Sequence, residues 1–314
     1  MSSEIDRTDL QRVIAVINGK GGVGKTTLTA NIGGLLAASG WKVLLVDLDL
    51  QGNLGLDLGY TGSAIDDDGR ALSTVIGDSA QMPIPAREVR PNLDVLVGGP
   101  KLAAAAAGIV AHMMDERAGD ARLTIAMMLT KVAGDYDIVL IDCPPGEETL
   151  QSGAVAAARY VLIPAKTDEG SLLGLKITAD RLDSVLDLNP ELDLLGVVIF
   201  GSGASAHKVR EEFTAQVTER LGGVGAEGMV FKSYIRHAEA TANSARAKGL
   251  LVHELDSKVR MSPKWYERLK KGLPQERVGP ASAGTVADSL QAVTEELIQR
   301  IMLKESEAEA ANNV

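Results

Sequence analysis

The chain has 314 residues, 45% of them hydrophobic and 3% aromatic, with one cysteine (Cys143) and a formal net charge of -10. That length buries one large core, or one core with an appendage, and the ordinary apolar content excludes a disordered or fibrous chain. A lone cysteine excludes an intrachain disulfide and a multi-cysteine cluster site within one subunit; the acidic balance speaks against a uniformly basic nucleic-acid binder but leaves room for a local basic patch.

No apolar run reaches the roughly 18 residues needed to cross a bilayer. Residues 1–10 are acidic and polar, unlike a signal peptide, so the expected location is cytoplasmic. Residues 13–17 (VIAVI) form a short β-branched run that predicts a buried strand. The spacing of Leu28, Ile32, Leu35 and Leu36 predicts a helix over 26–39, stopped by Gly40. Further buried strands are predicted at 43–46, 93–97, 138–141, 161–164 and 197–200, mostly separated by helical segments. This alternation predicts an α/β fold, a doubly wound and mostly parallel sheet with helices on both faces. Residues 60–70 read as an exposed acidic loop, and residues 101–122 as an alanine-rich surface helix broken near Gly119. Pro263, Pro274 and Pro280 punctuate a connector before a final helix over 285–303. The expected organisation is a domain over 1–262, a connector and helix packed on the same domain over 263–304, and an acidic, disordered tail over 305–314.

Residues 19–26 read GKGGVGKT and fit G-x-x-x-x-G-K-[ST] between a strand and a helix. Glycines at 21, 22 and 24 let consecutive N–H groups turn inward on phosphate oxygens, and the helix N-terminus adds positive charge. Gly21, Gly22, Val23, Gly24, Lys25, Thr26 and Thr27 are therefore the candidate ATP-binding residues. Lys25 is placed against the β- and γ-phosphates, the Thr26 hydroxyl on Mg2+, and Thr27 within reach of the α-phosphate. Lys20 is poorly placed for the same nucleotide, because Lys25 fills that position. It should project outward, and spacing alone leaves a solvated surface lysine open.

The run KGGVGKTT resembles the deviant Walker A motif of the ParA/MinD superfamily of P-loop ATPases. Residues 46–53 (VDLDLQGN) are similar to that family's V-D-x-D-P-Q-x-N segment, with Leu50 where proline is usual, and residues 135–145 (DYDIVLIDCPP from Asp135) to its Walker B strand. The resemblance implies a homodimer with ATP sandwiched between subunits, in which Lys20 crosses to the partner's phosphates. It implies that Asp142 supports Mg2+, that Asp49 orients the attacking water, and that Asp47 is an outer magnesium or switch residue. Lys20, Lys25 and Asp49 are then the catalytic candidates, and Thr26, Asp47 and Asp142 the metal candidates. With no arginine finger in the motifs, hydrolysis should be slow, dimer-dependent and partner-stimulated.

Within the superfamily, cluster-carrying branches need paired cysteines, and a tyrosine-kinase branch needs a tyrosine-rich tail. A MinD-like branch needs a basic membrane helix, whereas residues 289–303 carry Glu295 and Glu296 and lead into an acidic tail. The remaining branch is ParA, with nonspecific DNA and a ParB-like centromere-binding protein as implied partners, nucleoid association, and plasmid or chromosome partition as the implied role. About a dozen residues precede the first strand, so no N-terminal helix-turn-helix is expected. Residues 207–271 hold 13 Lys and Arg against 8 Asp and Glu, which polarises an otherwise acidic chain. Residues 231–249 resemble the family's DNA-contacting segment, with Arg236 at a matching position. A second family arginine has no counterpart in residues 201–206 (GSGASA), and Lys208 or Arg210 is expected to stand in. The alternatives are a MinD-like membrane-surface regulator and a ParA-like positioning ATPase for non-DNA cargo.

Overall fold

Successive strand residues point to opposite faces, and in this chain both faces are covered. Val13 and Ala15 enter one core and Ile14 and Val16 the other; Leu44 and Val46 divide in the same way from Val43 and Leu45. That is why the strands read as continuous apolar runs rather than as alternating ones.

The computed structural model describes residues 5–78, 80–114, 120–220, 228–263, 265–272 and 278–312. In chain order the elements are β1 (Val13–Val16), α1 (Lys25–Ala38), β2 (Val43–Asp47), α2 (Asn53–Leu58), α3 (Arg70–Gly77), β3 (Ala86–Arg90), β4 (Leu93–Leu96), α4 (Leu102–Met113), α5 (Thr124–Leu129) and β5 (Ile138–Asp142). There follow α6 (Glu148–Ala157), β6 (Tyr160–Ala165), α7 (Glu169–Asp183), β7 (Asp193–Ser202), α8 (His207–Arg220), β8 (Ile235–Arg236), α9 (Glu239–Ala247), α10 (Val252–Met261), α11 (Trp265–Lys270) and α12 (Ala283–Asn312). Among the described residues the strands form one sheet in the order β3-β4-β2-β5-β1-β6-β7-β8. Every pairing is parallel except that of the edge strand β3 with β4. Side chains of α1, α2, α9, α10 and α12 pack on one face, and those of α3 to α8 on the other. The chain is thus a doubly wound, mostly parallel α/β sheet of the P-loop type.

Two strands lie outside the sequence expectation. β3 (AREVR) carries three charged residues and pairs on one side only, and β8 has two residues, so neither leaves an apolar run to read. The loop over 60–70 is largely exposed as expected, but Tyr60 is buried in the core beneath it. The break expected near Gly119 lies outside the described residues.

The expected disordered tail is corrected over residues 305–312, which continue α12 as helix. Its glutamates and alanines favour helix, and two ion pairs pin the end of the packed section to the domain. Arg12 clamps Glu305 with both Nε and Nη2, at 2.7 and 2.9 Å, and Lys304 Nζ lies 2.6 Å from Asp193. Upstream, Val286, Leu290, Val293, Leu297 and Ile301 of α12 are buried against the sheet.

Candidate functional site

β1 lies centrally in the sheet between β5 and β6. The carboxyl edge of a parallel sheet is where doubly wound folds place ligands, and the loop 19–26 leaves β1 at that edge. Asn18, fully buried, anchors its start: Nδ2 donates to the Pro164 carbonyl at 2.8 Å, and Oδ1 accepts from the Lys20 amide at 2.8 Å. Gly24 caps α1 in the left-handed region at φ 93°. A Cβ there would stand 2.4 Å from the Phe200 ring, so the ring at the end of β7 rests on the loop.

Lys25, only 6% exposed, turns back so that Nζ donates to the Lys20 carbonyl at 3.1 Å. Burial pulls its pKa down, and the charge of Asp142, followed by Cys143 and Asp49, opposes that shift. Lys20 faces the other way. Its Nζ sits 2.7 and 2.8 Å from the two carboxylate oxygens of Asp168, the N-cap of α7. That contact is the main reason the Asp168 pKa is held below the ordinary carboxylate range. The two lysines of one loop therefore serve separate surroundings, one inside the cradle and one at its rim.

Asp47 and Asp142 are register partners at the ends of adjacent strands, and both are fully buried. Asp47 Oδ1 accepts the Asp49 amide at 2.9 Å, but Asp47 Oδ2 and both oxygens of Asp142 have no hydrogen-bond partner. Burial first, and then the neighbouring Asp142 carboxylate, push the Asp47 pKa well up. Asp142 is also raised, again chiefly by burial, with the Thr26 hydroxyl nearby opposing the shift. Buried carboxylate oxygens without partners are costly unless a cation meets them. The pair, beside Thr26, therefore fits a divalent metal ion. Among the described residues no three His, Cys, Asp or Glu side chains gather as a ligand cluster. A magnesium ion here would leave most of its octahedron to water and phosphate oxygens.

Asp49 is 6% exposed and holds the turn into α2: it accepts from the Gln51 amide at 3.0 Å and from Asn53 Nδ2 at 3.2 Å. Thr27 donates to Asp57 of α2 at 3.1 Å. Of the basic candidates, Arg236 is exposed and pairs in register with Ser202. Arg210 donates to that same Ser202 at 3.2 Å and to the Gly203 carbonyl at 2.7 Å, and it stacks 3.9 Å from the Tyr234 ring. Lys208 is exposed on the first turn of α8. Arg236 and Arg210 thus meet at Ser202, at the shared end of β7 and β8, with Arg210 partly committed to holding that end together, while no contact ties Lys208 to them among the described residues.

Sequence reasoning missed Asn18, Asp57, Asp168, Phe200 and Arg246. Asp168 carried a local signal as a helix N-cap three residues before Ser171, but its lysine partner is 148 residues away. The others show no local pattern that names their contacts.

The glycine-lined cradle, the inward lysine and the two strand-end aspartates at the carboxyl edge of a parallel sheet define a P-loop nucleotide-binding protein. A family model described as an AAA domain matches residues 11–194. The chromosome partitioning protein ParA of Myxococcus xanthus is 38% identical over 217 residues, covering 66% of this chain and 74% of that protein. The chromosome-partitioning ATPase Soj of Treponema pallidum is 31% identical over 262 residues, covering 83% and 96%. An uncharacterized Mycobacterium tuberculosis protein is 36% identical over 215 residues, 67% of this chain but 64% of its own length. The chain belongs to the ParA family of P-loop ATPases. Among solved structures, cobyrinic acid a,c-diamide synthase of Mycobacterium smegmatis with an ATP analog and magnesium is 32% identical, covers 67% of this chain and 80% of that one, and has a TM-score of 0.56. Apo McdA from Cyanothece, at 24% identity, covers 78% and 93% with a TM-score of 0.64 and shares the fold. Among the described residues no helix is long and apolar enough to cross a membrane.

Proposed function

We propose that this chain is an ATP-dependent dimerising switch of the ParA type, one that binds DNA without sequence preference and hydrolyses ATP when a cargo-bound, ParB-like partner stimulates it, in plasmid or chromosome partition. The observation that carries the reading is the division of labour between Lys25, buried in the cradle, and Lys20, held at its rim by Asp168. A second lysine that cannot serve its own nucleotide is well placed to serve another subunit's. The names of the ParA and Soj relatives support the partition role.

In this reading the backbone N–H groups of Gly21 to Thr27 and the Lys25 ammonium hold the phosphates, and Thr26, Asp47 and Asp142 face magnesium. Bound magnesium supplies charge neutralisation to the phosphoryl oxygens. Asp49 orients the attacking water once its carboxylate is released from Gln51 and Asn53. Lys20 leaves Asp168 and delivers its charge across the dimer. Arg236, with Lys208 and Arg210, contributes phosphate contacts; a single copy on an acidic protein binds weakly, and dimerisation doubles the contacts on one duplex.

The test is DNA retention with ATP, with ADP and without nucleotide, across a salt series. ATP-dependent retention that falls with salt, shows no preference among unrelated sequences and is lost in Arg236→Glu while ATP still binds supports the reading. Equal retention in all three states would refute the switch. ATP-dependent attachment to anionic liposomes, with no DNA binding in any state, would favour a MinD-like regulator instead.

A further inference from the structure

Beside the loop, a chain of three side chains leads out of the cradle. The Thr27 hydroxyl donates to one oxygen of Asp57 at 3.1 Å, and Arg246 Nε of α9 donates to the other at 2.6 Å. The Asp57 side chain is only 8% exposed. Its charge reaches the heart of the site, where it helps to raise the Asp142 pKa. The charges of Asp49 and Asp57 thus both bear on Asp142, in the region into which a polyanionic nucleotide must fit, with Lys25 as a cation inside the cradle.

Resting on the ATPase reading above, we propose that Arg246 is a nucleotide-positioning residue that acts through Asp57. The Thr27 hydroxyl has one hydrogen to donate, so Asp57 and an α-phosphate oxygen compete for it. A bare Asp57 carboxylate would also repel that phosphate. By neutralising Asp57, Arg246 lets Thr27 turn to the phosphate and removes the repulsion. This ties nucleotide occupancy to α9, the helix that follows Arg236.

A purely structural role for the pair is disfavoured by an independent brace on the same elements. Arg90 donates to the Leu58 carbonyl at the end of α2 and to the Gly249 carbonyl after α9, at 3.2 and 2.9 Å, and it clamps Glu254 of α10. The backbones of Gly59 and Gly249 also touch: a Cβ on Gly249 would lie 2.4 Å from the Gly59 Cα. Docking of α2 against α9 and α10 therefore has a brace that does not involve Arg246.

The experiment is calorimetric titration of ATP and of ADP, each with magnesium, into wild type, Arg246→Gln, Arg246→Lys, Asp57→Asn and the Asp57→Asn/Arg246→Gln double variant. Like charges about 6 Å apart at an effective dielectric of about 20, partly screened by solvent, correspond to roughly 10- to 100-fold in Kd. Arg246→Gln should lose that factor for ATP and ADP equally, because both carry the α-phosphate, and Arg246→Lys should recover part of it. Asp57→Asn should bind at least as tightly as wild type, and the double variant should match Asp57→Asn. Unchanged affinity in Arg246→Gln, or a double variant as weak as Arg246→Gln, would overturn the proposal. If Arg246→Gln does not fold, a tenfold weakening in Asp57→Asn overturns it alone. A wild-type chain that binds neither nucleotide would overturn the ATPase reading as well.

Discussion

Replacing Asp168 by asparagine should make the ATP-bound dimer form more readily. Asparagine keeps a side-chain oxygen that can accept the Ser171 amide, which Asp168 now accepts at 2.7 Å, so the cap of α7 survives. What is lost is the ion pair with Lys20, whose side chains are 33% and 46% exposed. A pair so exposed is worth about 0.2–1 kcal/mol after solvent screening. Two such pairs must open for both lysines to cross, so the dimer should gain about 0.4–2 kcal/mol, roughly 2- to 30-fold in its association constant. Sedimentation velocity across a protein concentration series, with ATP and magnesium in an Asp49→Ala background to suppress turnover, measures this directly. The advantage should shrink as salt rises, since added ions screen the pair in the parent as well. A midpoint equal to the parent's, or shifted to higher protein concentration, would show that Asp168 does not restrain Lys20.

Asp49→Ala by itself should bind ATP and persist as a dimer in size exclusion, because it loses the group assigned to the water and keeps the cradle; a monomer under those conditions contradicts the role. Gly24→Ala should cost at least about 1–2 kcal/mol from its left-handed backbone, since φ is 93° and the new methyl would meet the Phe200 ring; a thermal melt at the wild-type temperature would contradict that. Without nucleotide, stability should fall as pH rises. The folded state keeps protons on Asp47 and Asp142 that the unfolded chain has released above the ordinary carboxylate value of 3.8, and for Asp142 this window extends to about 7. Urea midpoints should therefore drop from about pH 5 to about pH 8, and ATP with magnesium, which favours the ionised carboxylates, should flatten the slope. A midpoint that rises over this range in the apo protein would refute the assignment.

The cradle was legible because its instructions are contiguous. Strand, glycine turn, lysine and helix follow one another within residues 13–38, and each step is dictated by local backbone geometry or by burial on both faces. The same holds for Asp47 and Asp142, which end buried apolar strands, so their place at the carboxyl edge follows once those strands are identified. The frame around the cradle is non-local. Lys20 finds Asp168 at a separation of 148 residues and Asp57 finds Arg246 at 189, distances over which no periodicity carries information. Composition misled in one place for the same reason: residues 305–312 look like a solvated acidic tail, yet Arg12, almost three hundred residues earlier, meets Glu305 and helps hold the start of that segment as helix. The basic segment shows both limits at once. Its charge excess could be counted, but a count cannot separate Arg236, exposed at the sheet edge, from Arg246, spent on a buried carboxylate. In the readings proposed above those two arginines act differently, Arg236 meeting an external phosphate and Arg246 tuning the internal one. Only the positions of their partners in the fold distinguish them.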